Sequence, residues 1–552
     1  MLTGLIDKSI DRTSSFGLSG SKLRSTITII ACIGFSLFGY DQGVMGSIIS
    51  SSQFNYEFPG TKQNGSDDSH ATVIQGAVVS CYEIGCFFGA LFAMLRGEKY
   101  GRKPMIIIGA SIIIVGTVIS VTAFRDSWGT GQFVIGRVIT GIGNGMNTAT
   151  IPVWQSEMSK PENRGRLVYI EGSTVAFGTF IAYWLDFGIG YVDTSVSWRF
   201  PIAFQIFFAG ILMFGAISLP DSPRWLISKK RNNEAQEILA KLDDLDINDD
   251  FIISEMTLIS ETVERFNGQG SYKDLFKPNK TSDLARVLIG SSTQFFQQFT
   301  GCNAAIYYST VLFENSIGLS HKLASILGGV FSTIYFLASI PAYFMVDSVG
   351  RRKLFLVGAS GQSVAFLITF ACLVQDTKAN AKGAAVGLFL FIAFFGCTIL
   401  QLPWVYPPEI NQPSKRAVGS SISTATNWLC NFAVVMFTPL FVNNTRWGCY
   451  LFFAIMNMIW IPIIFFFYPE TAGRSLEEVD IIYAKAKLDK AWPFRVAQNL
   501  PKLTMNEIKE HVEDLGIYDD EKQIEEKVDL ASSNSGSQAE VAKDALINNN
   551  AN

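Results

Sequence analysis

The stretch "GEKYGRK" at residues 97–103 ends one long apolar run, and "VDSVGRRK" at residues 346–353 ends another. The acid, glycine and bases come in the same order: Glu98, Gly101, Arg102 and Lys103, then Asp347, Gly350, Arg351 and Arg352. Two more pairs of motifs are displaced by the same amount. "SEMSKPENRG" (156–165) returns as "PEINQPSKRAVG" (408–419), each with a Glu seven residues before an Arg. "PDSPR" (220–224) returns as "PETAGR" (469–474). All three offsets lie near 250 residues, and chance matches would not share one offset. The chain is a duplicated unit, and the unit is built of apolar segments.

The composition agrees. Of 552 residues 48% are hydrophobic and 17% charged, with 44 Phe, whereas soluble domains carry about 25% charge. Mean hydropathy is +0.26. A net charge of -4 gives no footing for a nucleic-acid partner. The stretch Met1 to Lys22 has Asp7, Lys8, Asp11 and Arg12 but no apolar core beside a cleavage site, so it reads as a cytoplasmic tail rather than a signal peptide. Most of the eight Cys fall within or beside apolar runs without metal-type spacing, which makes them packing residues.

A helix crosses a bilayer with about 20 mostly apolar residues. Twelve such segments are expected, near 27–49, 72–95, 104–124, 131–153, 168–190, 200–219, 286–312, 323–346, 354–374, 385–409, 418–441 and 448–468. The fold class is therefore all-α and integral to the membrane. Its parts are an N-terminal tail (1–24), a six-helix half (25–219), a helical central loop (220–285), a second six-helix half (286–468) and a C-terminal tail (469–552). "SSNSGSQAE" and "NNNAN" make that tail read as disordered from about 518.

Basic residues mark the cytoplasmic side. Arg96, Lys99, Arg102 and Lys103 follow the second span, Lys160, Arg164 and Arg166 the fourth, Arg351, Arg352 and Lys353 the eighth, Lys415 and Arg416 the tenth. Both termini and the central loop are thus expected inside. Two sequons, Asn64-Gly-Ser66 and Asn443-Asn-Thr445, fall outside.

Polar residues inside spans point to chemistry. A carboxylate at the centre of a membrane helix costs roughly 2.5–3.5 kcal/mol on insertion scales, and Asp41 sits in "SLFGYDQGVMG" (36–46). Glu83 and Glu171 are further acids in spans two and five; Glu171 lies near enough to the cytoplasmic edge for hydration to be the alternative. His70, His321 and His511 all lie outside spans, so no histidine relays protons. Span seven carries the amides Gln297, Gln298 and Asn303, which on one continuous helix do not all point the same way. Amides suit a polyol because each offers a donor and an acceptor; bonding between helices is the alternative. "GIGNG" (141–145) is no phosphate loop. Gly141 with Gly145, like Gly85 with Gly89, has the spacing of close helix packing. Pro403, Pro407 and Pro408 interrupt span ten, as a helix lining a cavity tolerates. Duplicated transporters of this sort bind substrate near the midplane, between repeats.

The paired motifs, with "QQFTGCNAAIYY" (297–308) and "PWVYPPE" (403–409), resemble the sugar porter family of the major facilitator superfamily over residues 25–485. "GFSLFGYDQG", "IPVWQSEMSKPENRG", "NWLCNFAVVMFTP" and "YPETAGRSLEEVDII" are similar, within it, to the yeast glycerol–proton symporter type. The resemblance implies no enzyme and no cofactor beyond a coupling proton. It implies a plasma-membrane protein acting as a monomer among lipids, with glycerol or a similar small polyol as substrate. Asp41 would carry the proton and Arg137 be its partner. Gln297, Gln298, Asn303, Trp404, Asn427 and Asn431 would face substrate. Glu98, Arg102, Glu157 and Arg164 with Asp347, Arg351, Glu409 and Arg416 would latch the halves on the inside. Hexose carriers of the family have a Gln at Gly172, an Asn at Tyr335 and a polar or acidic residue at Gly396. Those missing hydroxyl partners speak against glucose and for a smaller substrate. Hexose or pentose symport and nutrient sensing are the rival expectations.

Overall fold

Backbone inside a bilayer has no water to bond, so each crossing segment satisfies its own N–H and C=O groups as a helix. The computed structural model describes residues 11–62, 69–125, 128–160, 164–266, 275–276, 279–375, 378–412 and 415–517. The first half holds α1 (Gly20–Ile48), α2 (Ser69–Tyr100), α3 (Arg102–Val121), α4 (Thr130–Glu157), α5 (Arg164–Ile189) and α6 (Val196–Ser218). Three short helices follow: α7 (Pro223–Ser228), α8 (Asn232–Asp243) and α9 (Asp250–Phe266). The second half holds α10 (Asp283–Phe299), α11 (Cys302–Val311), α12 (His321–Val349), α13 (Arg351–Val374), α14 (Lys378–Phe394), α15 (Leu402–Ile410), α16 (Arg416–Asn444) and α17 (Gly448–Phe467). The tail adds α18 (Leu476–Leu488), α19 (Pro493–Asn499) and α20 (Met505–Leu515). The sequon at Asn64 and the tail beyond 517 lie outside the described residues.

Among the described residues nine helices are long and apolar enough to cross a membrane. The other crossings of the twelve-helix fold are α4 and the α10–α11 pair, where Gly, Asn and Gln displace apolar residues, and α5, which carries Arg164, Arg166, Glu171 and Asp186. Helices overrun the expected spans because hydropathy marks only the bilayer core: α2 runs on to Tyr100, where Gly101 turns with φ +92°. Span seven is not one helix. It breaks at Thr300–Gly301, with Gly301 at φ +90°. Span ten breaks too, but earlier than its prolines: a widened π turn at Phe395–Ile399 precedes Gln401, and Pro403 opens α15. A proline in the first helical turn loses no hydrogen bond, which explains its place there.

The three repeated motifs build one device in each half. Asp221 of "PDSPR" accepts the backbone N–H of Arg102 (3.1 Å) and Lys103 (3.2 Å), holding the start of α3. Glu470 of "PETAGR" accepts those of Arg351 (2.8 Å) and Arg352 (3.1 Å), holding the start of α13. Between α2 and α4 the small-residue spacing brings backbones together. A Cβ on Gly89 would lie 2.0 Å from the Ile142 carbonyl oxygen, and one on Gly145 2.0 Å from that of Cys86.

The halves meet through α2 against α16, α5 against α12 and α1 against α11. Outward faces keep large apolar side chains exposed, among them Phe207 and Phe214 on α6 and Leu337 and Phe344 on α12. Such a surface is stable against lipid and aggregation-prone in water.

Candidate functional site

Asp41 lies in α1, buried, and Arg137 of α4 donates to its Oδ1. Gln205 of α6 donates to the same oxygen at 3.1 Å, while Oδ2 has no hydrogen-bond partner. The guanidinium lies over the Tyr82 ring, 4.6 Å from its centroid. Tyr82 in turn accepts from Asn144. A buried carboxylate and guanidinium have two arrangements, ionised and paired or protonated and parted. Glu83, next to Tyr82, accepts a hydrogen bond from Tyr307 of the other half.

Beside this pair a cavity of about 850 Å³ separates the halves. Gln297, Gln298, Asn303, Trp404 and Asn427 line it; Asn431 does not. Because the helix turns at Gly301, all three amides of span seven reach one wall, which a continuous helix does not allow. They are tied together. Asn303 donates to Gln298 (2.7 Å) and Asn431 (2.8 Å), Gln298 to Asn427 (2.6 Å), and Gln297 to the Leu400 carbonyl (3.0 Å). Asp41 stands outside the wall, one residue from Gln42, which is in it; Glu171 is in it too.

The cavity runs to the end that carries α7–α9, where Glu98, Arg102, Glu157, Glu409 and Arg416 line it. Here, in the conformation open at this end, the charges expected to latch the halves pair within each half. Arg102 pairs with Glu98 (3.0 Å) and Glu157 (2.9 Å) of its own half, and Arg351 with Asp347 (2.9 Å) and Glu409 (3.0 Å) of its own. With the cavity open between them, the two clusters are held apart. Arg164 opens α5, and its side chain lies outside the description. At the opposite end the halves touch: Ser47 meets Thr310 at 3.2 Å, and a Cβ on Gly76 would lie 2.8 Å from the Met436 carbonyl oxygen.

Residues 27–483 match the family model described as "Sugar (and other) transporter". The chain belongs to that family. It is 57% identical to the sugar transporter STL1 of Saccharomyces cerevisiae, covering 100% of this chain and 99% of that one. It is 52% identical to the major facilitator superfamily transporter mfsA of Aspergillus fumigatus, covering 95% and 98%. Among solved structures, the proton:xylose symporter XylE bound to 6-bromo-6-deoxy-D-glucose aligns with a TM-score of 0.71 at 25% identity, over 84% of this chain and 100% of that one.

In this sugar transporter the three departures from the hexose pattern have different outcomes. Tyr335 lines the cavity, its ring 5.9 Å from that of Phe395. Gly396 packs on the α12 backbone, where a Cβ would lie 3.0 Å from the Tyr335 carbonyl oxygen. The space beside Gly172 is filled, and by a residue that no pattern along the chain marks. A Cβ there would lie 2.3 Å from Cγ of Gln401. Gln42 and Gln294 also line the transporter's cavity without having been singled out. Gln294 had a visible signal: it stands three and four residues before Gln297 and Gln298, one helical turn along the same face.

Proposed function

We propose that this transporter moves glycerol inward across the plasma membrane together with a proton, by alternating access, as a monomer in lipid with both termini in the cytoplasm. The observation that carries the proposal is the Asp41–Arg137 pair, buried beside a cavity lined with amides. Protonation of Asp41 from outside releases Arg137, substrate binds at Gln297, Gln298, Asn303, Trp404 and Asn427, and the cytoplasmic clusters part. XylE, named a proton:xylose symporter, supports proton coupling in this fold. A proton falling through about 100 mV releases ~2.3 kcal/mol, and one pH unit adds about 1.4 kcal/mol. Together they sustain a gradient of several hundred-fold, on the order of what ~3.7 kcal/mol allows.

A second reading is pentose or hexose symport, favoured by the amide of Gln401 standing in the space beside Gly172. Labelled-glycerol uptake into proteoliposomes, with and without an inward proton gradient and with excess glucose as competitor, decides between them. Gradient-driven accumulation that ignores glucose supports glycerol symport; equilibration without gradient dependence makes the protein a facilitator. Competition by glucose favours the second reading.

A further inference from the structure

Four glutamines surround the cavity from the second half: Gln294, Gln297 and Gln298 on α10, and Gln401 at the joint before α15. The first three have bonding that explains their posture. Gln294 donates to the Pro403 carbonyl at 2.7 Å, Gln297 to Leu400, Gln298 to Asn427. Gln401 differs. It is 1% exposed, and neither its Oε1 nor its Nε2 has a hydrogen-bond partner. Buried amides are bonded as a rule, and of these four glutamines in the cavity wall only Gln401 has both amide atoms without a partner.

Its position depends on one residue of the other half. The side chain occupies the volume that any Cβ at Gly172 would need: the ideal Cβ falls 2.3 Å from Gln401 Cγ and 3.1 Å from both Cδ and Nε2. Gln401 can therefore stand here only because residue 172 is glycine. Gln401 stands between the π turn and α15, where it is the N-cap residue of α15 and its carbonyl accepts the N–H groups of Trp404 (3.0 Å) and Val405 (3.2 Å).

We propose that Gln401 is a hydroxyl-binding residue of the transport site, and that Gly172 is the space that admits it. This rests on the reading that the cavity binds a polyol or sugar. The amide is thus supplied from α15 rather than from α5. It offers two donors and an acceptor to adjacent hydroxyls of the substrate.

The test is uptake by full-length protein in proteoliposomes, comparing glycerol with propane-1,2-diol, which lacks one hydroxyl. Gln401→Leu should raise KM for glycerol about tenfold, the loss of one such contact. It should raise KM for the diol much less, while maximal rate changes less than about threefold. Gly172→Ala, by evicting the side chain, should give the same pattern, and the double variant should be no worse than either single one. An equal KM rise for both substrates shows that Gln401 only shapes the wall and overturns the proposal, as does an unchanged KM. If Gln401→Leu does not reach the membrane, Gln401→Asn is measured by the same comparison with the same criteria. Should the wild type take up xylose and not glycerol, the glycerol reading fails. The comparison is then made with xylose and its deoxy analogues, and Gln401 stands or falls on that result.

Discussion

Tyr307 of α11 donates its hydroxyl to Glu83 of α2, joining the two halves at a point where both residues are fully buried. The bond lies on the side of the cavity away from α7–α9, alongside the contact of Ser80 with Met436 Sδ at 3.5 Å. It therefore stabilises the arrangement seen here, closed at that end. Removing the hydroxyl with Tyr307→Phe should shift the balance toward opening by about fivefold, the value of one hydrogen bond near 1 kcal/mol. A reporter cysteine, Ser80→Cys, should then react faster with an impermeant maleimide added outside whole cells. An unchanged labelling rate would mean that the bond does not contribute to closure.

The Asp41–Arg137 pair makes a two-part prediction. Asp41→Asn should abolish uphill accumulation while leaving exchange of labelled for unlabelled substrate, since the cavity wall is intact. It should also lower the melting temperature in detergent, because an arginine left buried without its partner costs about 3–5 kcal/mol. Adding Arg137→Gln should recover much of that stability without restoring accumulation. Arg137→Lys should not substitute, because a lysine cannot lie flat over Tyr82 while bonding Asp41. An Asp41→Asn protein that still concentrates substrate would falsify the coupling role.

How much of this was legible beforehand follows from what kind of fact each part is. The duplication and the spans are patterns along the chain, so apolar length and repeated motifs expose them. Asp41 was visible because charge in an apolar run is conspicuous. The break at Gly301 was hidden because "FTGCN" keeps its hydropathy through the turn, and only the geometry shows three amides on one wall. Gln401 was hidden for another reason. Its importance depends on Gly172, more than 200 residues away in the chain, leaving a space in the opposite half. The pairing of Arg102 and Arg351 depends on which end of the cavity is open, a property of the conformation rather than of the sequence.

The caps supplied by the repeat are not equivalent, and stability should show it. Asp221 is fully buried and, besides the two N–H groups of α3, binds the guanidinium of Arg12, itself stacked 4.4 Å from the centre of the Trp225 ring. Glu470 caps α13 at a partly exposed position. Asp221→Ala should therefore cost about 3–5 kcal/mol, removing the carboxylate from a buried guanidinium. Glu470→Ala should cost about 1–2 kcal/mol, as a lost cap does. Thermal unfolding of the two purified variants checks the order, and equal losses would show that Arg12 adds nothing.

The proposed alternating access demands that the wall opened here also closes. Ser156, at the end of α4, and Ser420, at the start of α16, line the cavity from opposite halves near the Arg102 and Glu409 clusters. The double variant Ser156→Cys with Ser420→Cys should cross-link slowly in the conformation seen here and faster when the protein is driven to open outward. Tyr307→Phe supplies that drive. Once formed, the bond should stop uptake, and a reducing agent should restore it, since neither serine belongs to the amide cluster. Rapid cross-linking in every condition, or uptake that survives it, would show that the cavity does not close at this end during transport. The clusters of Arg102 and Arg351 would then serve only to brace their own halves.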